Sequence, residues 1–288
     1  QWRDLRHAVE QAPEPLDCGL PGCKSGTVGA LVSPGATGKT MLALQAAVTV
    51  SGGPDMLDFA SMDTAWRRTA GRVVFLTGED PADVLNGRFH AIGQRLNPAE
   101  REAMFENLSV APLVGRGADV MTFEWRRWIA GVTRDARLVV IDTLRRFHQL
   151  DENDGGHMAG LLAYMEQLCR ENSTTVLFLH HTSKAGALNG GDAQQASRGS
   201  SVLTDNARFQ ANLVGMTPEQ AKQFDVDENC RRNFVRLSFP KINYSAPIPD
   251  QWFRRRDGGL LEPAVLERGT FKSAKTGSFQ KGGDDERW

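Results

Sequence analysis

The residues with the clearest chemistry lie between positions 33 and 41. Ser33-Pro34-Gly35-Ala36-Thr37-Gly38-Lys39-Thr40 has the spacing of the phosphate-binding loop GxxxxGK[ST], with Ser33 in place of the first glycine. Backbone N–H groups of such a loop and of the helix behind it cradle phosphates. Lys39 would reach the β- and γ-phosphates, and the Thr40 hydroxyl would bind Mg²⁺. Pro34, Gly35, Ala36, Thr37, Gly38, Lys39, Thr40 and Met41 are therefore the expected nucleotide-binding residues. The first position makes a tight turn, for which a small residue such as serine suffices.

Three further polar groups each follow a short apolar run. Residues 138–141 lead into Asp142, the pattern of a strand-end acid that orients Mg²⁺. Residues 73–76 lead to Glu79, a candidate general base for the attacking water. Asp142 as base, with no role for Glu79, is the alternative. Asp80 reads as a helix cap. Residues 176–179 end at His180-His181, where a polar side chain could sense the γ-phosphate.

These groups need elements to hold them. Residues 26–32 read as a strand running into the phosphate loop, with a helix from Lys39 to about Val50, stopped by Gly52-Gly53-Pro54. The continuous apolar runs 72–76, 137–141 and 174–179 predict strands buried on both faces. A helix over 156–171 places Leu161, Leu162, Met165 and Leu168 on one face. Strands alternating with helices predict an α/β fold with a mainly parallel sheet flanked by helices. Residues 233–239 and 251–255 read as further strands, with Asp257-Gly258-Gly259 as a hairpin turn before Leu260. Arg254-Arg255-Arg256 reads as a solvated hairpin face. Residues 182–199 show neither period and read as a long loop. Residues 269–288 are polar and rich in glycine and lysine, the composition of a disordered tail. The expected organisation is one domain over residues 1–268 followed by that tail.

In ligand-binding α/β sheets the carboxyl ends of the strands carry the site. Glu79, Asp142 and His180 all fall at such ends, on the same edge as the phosphate loop.

The chain has 288 residues and a formal net charge of −1, which excludes a highly basic nucleic-acid coat protein and an acidic disordered one. The average hides a split: residues 231–288 carry 12 basic and 7 acidic groups. Four cysteines (Cys18, Cys23, Cys169 and Cys230) without metal-site spacing suit reduced thiols in the cytoplasm. No apolar run reaches the roughly 20 residues of a membrane span.

The order of phosphate loop, strand-end Glu, strand-end Asp and strand-end His resembles that of the RecA-like ATPases. Residues 27–35, 142–148, 178–181, 194–201 and 252–255 resemble the RepA-type replicative DNA helicases of broad-host-range plasmids. The similarity spans roughly residues 13–268. It implies a homohexameric ring moving 5′→3′ on single-stranded DNA, driven by hydrolysis of ATP with Mg²⁺. It also implies Glu79 as base, Asp142 as metal acid, His180 as γ-phosphate sensor and Arg208 as an arginine finger acting on a neighbouring subunit. From the residues alone, Arg198 and Lys241 are equal candidates for that finger. Lys184 and Arg198 in the 182–199 loop, or Arg145 and Arg146 after the strand-end Asp, would hold the DNA phosphates. No primase-like or origin-binding segment is visible, so separate initiator and primase proteins are expected as partners. A RecA-like accessory ATPase that binds DNA without unwinding it is the competing reading.

Overall fold

The computed structural model describes residues 5–12, 14–181 and 202–267. The 182–199 loop with Lys184 and Arg198, and the 269–288 tail, lie outside the described residues.

A short helix α1 (Leu5–Glu10) and a small hairpin, β1 (Cys18–Leu20) with β2 (Cys23–Lys24), precede the main sheet. Then follow β3 (Val28–Ser33), α2 (Lys39–Val50), α3 (Phe59–Met62), β4 (Val73–Thr77), α4 (Ala82–Gly93), α5 (Pro98–Asn107) and β5 (Leu108–Pro112). Next come α6 (Phe123–Val132), β6 (Leu138–Asp142), α7 (Gly155–Asn172) and β7 (Thr175–His181). The chain closes with β8 (Phe209–Gly215), β9 (Phe234–Ile242), β10 (Gln251–Arg255) and β11 (Leu261–Ala264). Nine strands form one sheet in the order β11-β10-β9-β8-β3-β7-β6-β4-β5.

From β8 to β5 every neighbouring pair is parallel; β8–β9, β9–β10 and β10–β11 are antiparallel. This is the RecA-like α/β arrangement, a mainly parallel sheet between helices with antiparallel strands at its C-terminal side. The expected strands fall within two or three residues of the observed ones. The sequence pattern does not predict β5, β8 or the small β1–β2 hairpin. β6 and β7 extend past their apolar runs to include Asp142 and His181, the chemically important ends.

Strand direction has a consequence for the site. β10 lies two antiparallel steps from β8, so it runs the same way as β3. The ends of β3, β4, β6, β7 and β10 therefore share one edge of the sheet. The start of β8 and the end of β9 share the other.

The central strands are apolar along both faces because both faces are covered. All six residues of β3 and all five of β4 and of β6 are buried. Alternation sends Leu31, Phe75, Val140 and Leu179 to the core beneath α2, and Val32, Leu76, Ile141 and Phe178 to the core beneath α7. Leu161, Leu162, Met165 and Leu168 of α7 all join the second core, as their spacing predicts. Gly29 is required in β3: a Cβ there would come within 2.9 Å of the Phe209 ring on β8.

Candidate functional site

A cavity of about 410 Å³ opens at the shared edge. The 36–41 loop, Glu79, Asp80, Arg88, His181, Arg255, Gly258 and Gly259 line it. Ser33 is the last residue of β3, paired with His181 and fully buried. The loop leaves the strand there and turns through left-handed backbone at Ala36 (φ 59) and Gly38 (φ 103). Gly38 caps α2 without any side-chain hydrogen bond. The uncapped N–H groups of α2 thus face the cavity, as an anion-binding helix start requires. Met41, one turn in, is buried.

Lys39 is buried at the mouth of this loop. Its Nζ lies 3.3 Å from His181 Nε2 and 3.9 Å from Glu79 Oε2. Burial holds the Lys39 pKa below its ordinary value, opposed by the Glu79 carboxylate. Glu79 Oε1 accepts a 2.9 Å hydrogen bond from the Thr143 hydroxyl and lies 3.3 Å from His181 Nε2. The hydrogen bond to His181, with Lys39 and Thr143 behind it, pulls the Glu79 pKa down to about 2.

Asp142 is treated in the opposite way. It is completely buried, and both carboxylate oxygens lack a hydrogen-bond partner among the described residues. Burial pushes its pKa up to about 6, with the Thr40 hydroxyl and Lys39 opposing. An orphaned, buried carboxylate beside a threonine hydroxyl is the donor set that a hard divalent cation completes. Thr40 and Asp142 therefore fit Mg²⁺. Such an ion would neutralise charge on phosphate oxygens.

Two readings from the sequence are corrected here. His180 points to the α7 side and is buried; His181, on the other face of β7, is the histidine that lines the cavity. The period of two in a strand makes one of two successive histidines face the loop, and the register of β7 against β3 decides which. Asp80 is not the cap of α4. Pro81 occupies that position, and Asp80 instead forms a 2.9 Å ion pair with Arg88.

Arg208 is exposed at the start of β8, its backbone N–H bonded to the Val28 carbonyl at the start of β3. That is the opposite edge, about 17 Å along β3 from the phosphate loop at roughly 3.3 Å per residue. Lys241, near the end of β9, lies beside it and donates to the Thr204 and Asp205 carbonyls. Neither side chain is brought to the cavity of its own chain. Arg145 and Arg146 sit exposed on a 3₁₀ turn, Leu144–Phe147, just after Asp142. Arg145 donates to the His148 carbonyl, and Arg146 packs against Gly78; neither lines the cavity.

Sequence reasoning missed Thr143, Arg88 and Arg255. Arg255 left a readable signal. It shares a face of β10 with Phe253, a fully buried ring, whereas Arg254 and Arg256 are exposed. The solvated-face reading thus holds for two of the three arginines and fails for the middle one.

Comparison with known proteins agrees with this geometry. Residues 3–187 match the AAA domain family, nearly two thirds of the chain, so the chain belongs to that family of P-loop ATPases. A solved ATPase domain of the DnaB-like replicative helicase type superposes with a TM-score of 0.55 at 14% identity, over 91% of this chain and 96% of that one. A DnaB-like replicative helicase, solved in a study of its interactions with primase, superposes with a TM-score of 0.58 at 16% identity. That match covers 90% of this chain but only 66% of the helicase. At these identities the likeness is one of fold. Among the described residues no helix is long and apolar enough to cross a membrane.

Proposed function

We propose that this ATPase is the motor of a hexameric replicative DNA helicase, moving 5′→3′ on single-stranded DNA in plasmid replication in the cytoplasm. One observation carries the reading. The cavity gathers Lys39, Glu79, Asp142 and His181, while Arg208 stands at the far edge of the same sheet. A P-loop site supplied with an arginine from outside suits subunits arranged head to tail in a ring, each finger serving the next site.

Within the site, the loop N–H groups and Lys39 bind the phosphates. Glu79, released from Lys39 by the incoming nucleotide, orients and deprotonates the attacking water. Thr143 holds the Glu79 carboxylate in place. His181, in contact with both Lys39 and Glu79, registers whether the γ-phosphate is present; this role moves from His180 to its neighbour. Arg145 and Arg146, with Lys184 and Arg198, supply cations for DNA phosphates. Residues 1–268 act as one RecA-like unit with residues 269–288 as a tail, and separate initiator and primase proteins load the ring and start synthesis.

Unwinding of a forked DNA duplex separates this reading from a DNA-stimulated ATPase that remodels without unwinding. ATP-dependent strand displacement, abolished by Lys39→Ala, is the expected result. Hydrolysis without displacement at either fork polarity would leave the accessory ATPase as the answer.

A further inference from the structure

The C-terminal hairpin reaches back onto the phosphate loop. β10 and β11 lie beyond the residues matched to the family. Even so, Arg255 Nη2 donates a 2.6 Å hydrogen bond to the Thr37 carbonyl and lies 3.5 Å from that of Ala36. We infer that Arg255 is a positioning residue of the phosphate loop, holding these two carbonyls so that the loop is set for a nucleoside triphosphate before one arrives. The inference rests on the nucleotide reading of the cavity.

Peptide planarity supplies the mechanism. The carbonyl of one residue and the N–H of the next point in opposite directions across a trans peptide. Fixing the Ala36 and Thr37 carbonyls toward Arg255 therefore turns the Thr37 and Gly38 N–H groups the other way, as donors for phosphate. The loop needs such a hold. Ala36, an L-residue, sits in left-handed backbone, which persists only where surrounding contacts impose it.

The hairpin is anchored firmly enough to impose it. The buried Gln45 side chain on α2 donates to the Leu261 carbonyl and accepts from the Leu261 N–H, both at 2.9 Å. Glu262 bridges Arg256 at 2.7 Å and Arg95 at 3.0 Å. Gly258 lies so close to α4 that a Cβ would fall 2.4 Å from that of Ala91. Arg255 is thus a forked donor on a fixed support.

Binding of a fluorescent ATP analogue with Mg²⁺, together with ATP turnover and thermal melting, tests this on Arg255→Ala and Arg255→Lys. Loss of a charge-assisted hydrogen bond predicts a roughly tenfold rise in Kd for Arg255→Ala, with a smaller fall in kcat at saturating ATP. Arg255→Lys, which keeps the charge but not the fork, is expected between the two. Tight wild-type binding with an unchanged Kd in Arg255→Ala overturns this inference alone, even if the melting temperature falls. A lysine variant no better than alanine also overturns it. Wild-type protein that fails to bind the analogue overturns the nucleotide reading and this inference with it.

Discussion

The two edges of the sheet differ more than the two faces. At one edge the ends of β3, β4, β6 and β7 deliver Lys39, Glu79, Asp142 and His181 into a single cavity, and β10 adds Arg255. At the other edge Arg208 and Lys241 stand together at the start of β8 and near the end of β9. Direction alone sorts them. Parallel strands bring all their ends to one side, whereas each antiparallel step sends the next end to the other. The chain therefore carries its phosphate chemistry and its candidate trans cations on opposite rims.

The sharpest way to break this comparison is Arg208→Ala. If the far edge serves a neighbour's site, hydrolysis falls roughly 10³-fold or more, the scale of an arginine finger, while binding of nucleotide persists. Mixing Arg208→Ala subunits with Lys39→Ala subunits, each inactive alone, should then restore ATPase activity, because some interfaces pair an intact loop with an intact arginine. Normal turnover in Arg208→Ala, or no recovery on mixing, removes Arg208 from the reaction and leaves Lys241 or Arg198 as the candidate. Sedimentation showing only monomer with nucleotide and DNA present would remove the ring itself.

Much of the loaded edge was legible in the sequence, and for a physical reason. A strand buried on both faces is a run of apolar residues, so the polar residue that ends it stands out, as Asp142 does after Leu138-Val139-Val140-Ile141. The phosphate loop is legible because its contacts are local. What was not legible depends on register or on distant contact. Choosing His181 over His180 needs the pairing of β7 with β3. Arg255 meets a carbonyl 218 residues away, and no local pattern encodes that. β8 was hidden because Phe209–Gly215 includes Gln210 and Asn212, buried polar residues that hydrogen-bond to each other and interrupt the apolar run. The 182–199 loop, with Lys184 and Arg198, can be judged only by DNA-binding measurements on those residues.

A second comparison lies within the loaded edge, between two carboxylates shifted in opposite directions. Asp142, with a pKa of about 6 in the fold, binds its proton more tightly folded than unfolded. Its contribution to stability is full below its ordinary value near 4 and is lost as pH rises through about 6, a loss of roughly 3 kcal/mol. Glu79, at about 2, works the other way: its contribution is present above its ordinary value and is lost as pH falls toward 2. Asp142→Asn should therefore raise the melting temperature at pH 7.5 but much less at pH 4, and Glu79→Gln should lower it at pH 7.5. Both variants lose hydrolysis. Melting shifts of the same sign at pH 7.5 would show that the two carboxylates do not differ as their surroundings require.

The smallest expected effects concern how the antiparallel strands are tied to the parallel ones. Two kinds of tie are present, and burial should rank them. Gln45 and Leu261 exchange two hydrogen bonds in the core, with both residues about 1% exposed or less. Gln45→Leu keeps the volume but strands a buried N–H and a buried carbonyl, at about 1–3 kcal/mol for each. At roughly 2–4 °C per kcal/mol for a chain of this size, the melting temperature should drop by several degrees. Arg256 and Glu262 form the other tie, at 2.7 Å but with the Arg256 side chain 42% exposed. Water competes for both charges, and Arg95 still holds Glu262 when Arg256 is removed. Arg256→Ala should thus cost about 1 kcal/mol or less, a shift near the limit of detection that shrinks further in high salt. If Arg256→Ala proved the more damaging of the two, the hairpin would be held by its charges, and Arg255 would sit on a looser support than the buried Gln45 contact implies.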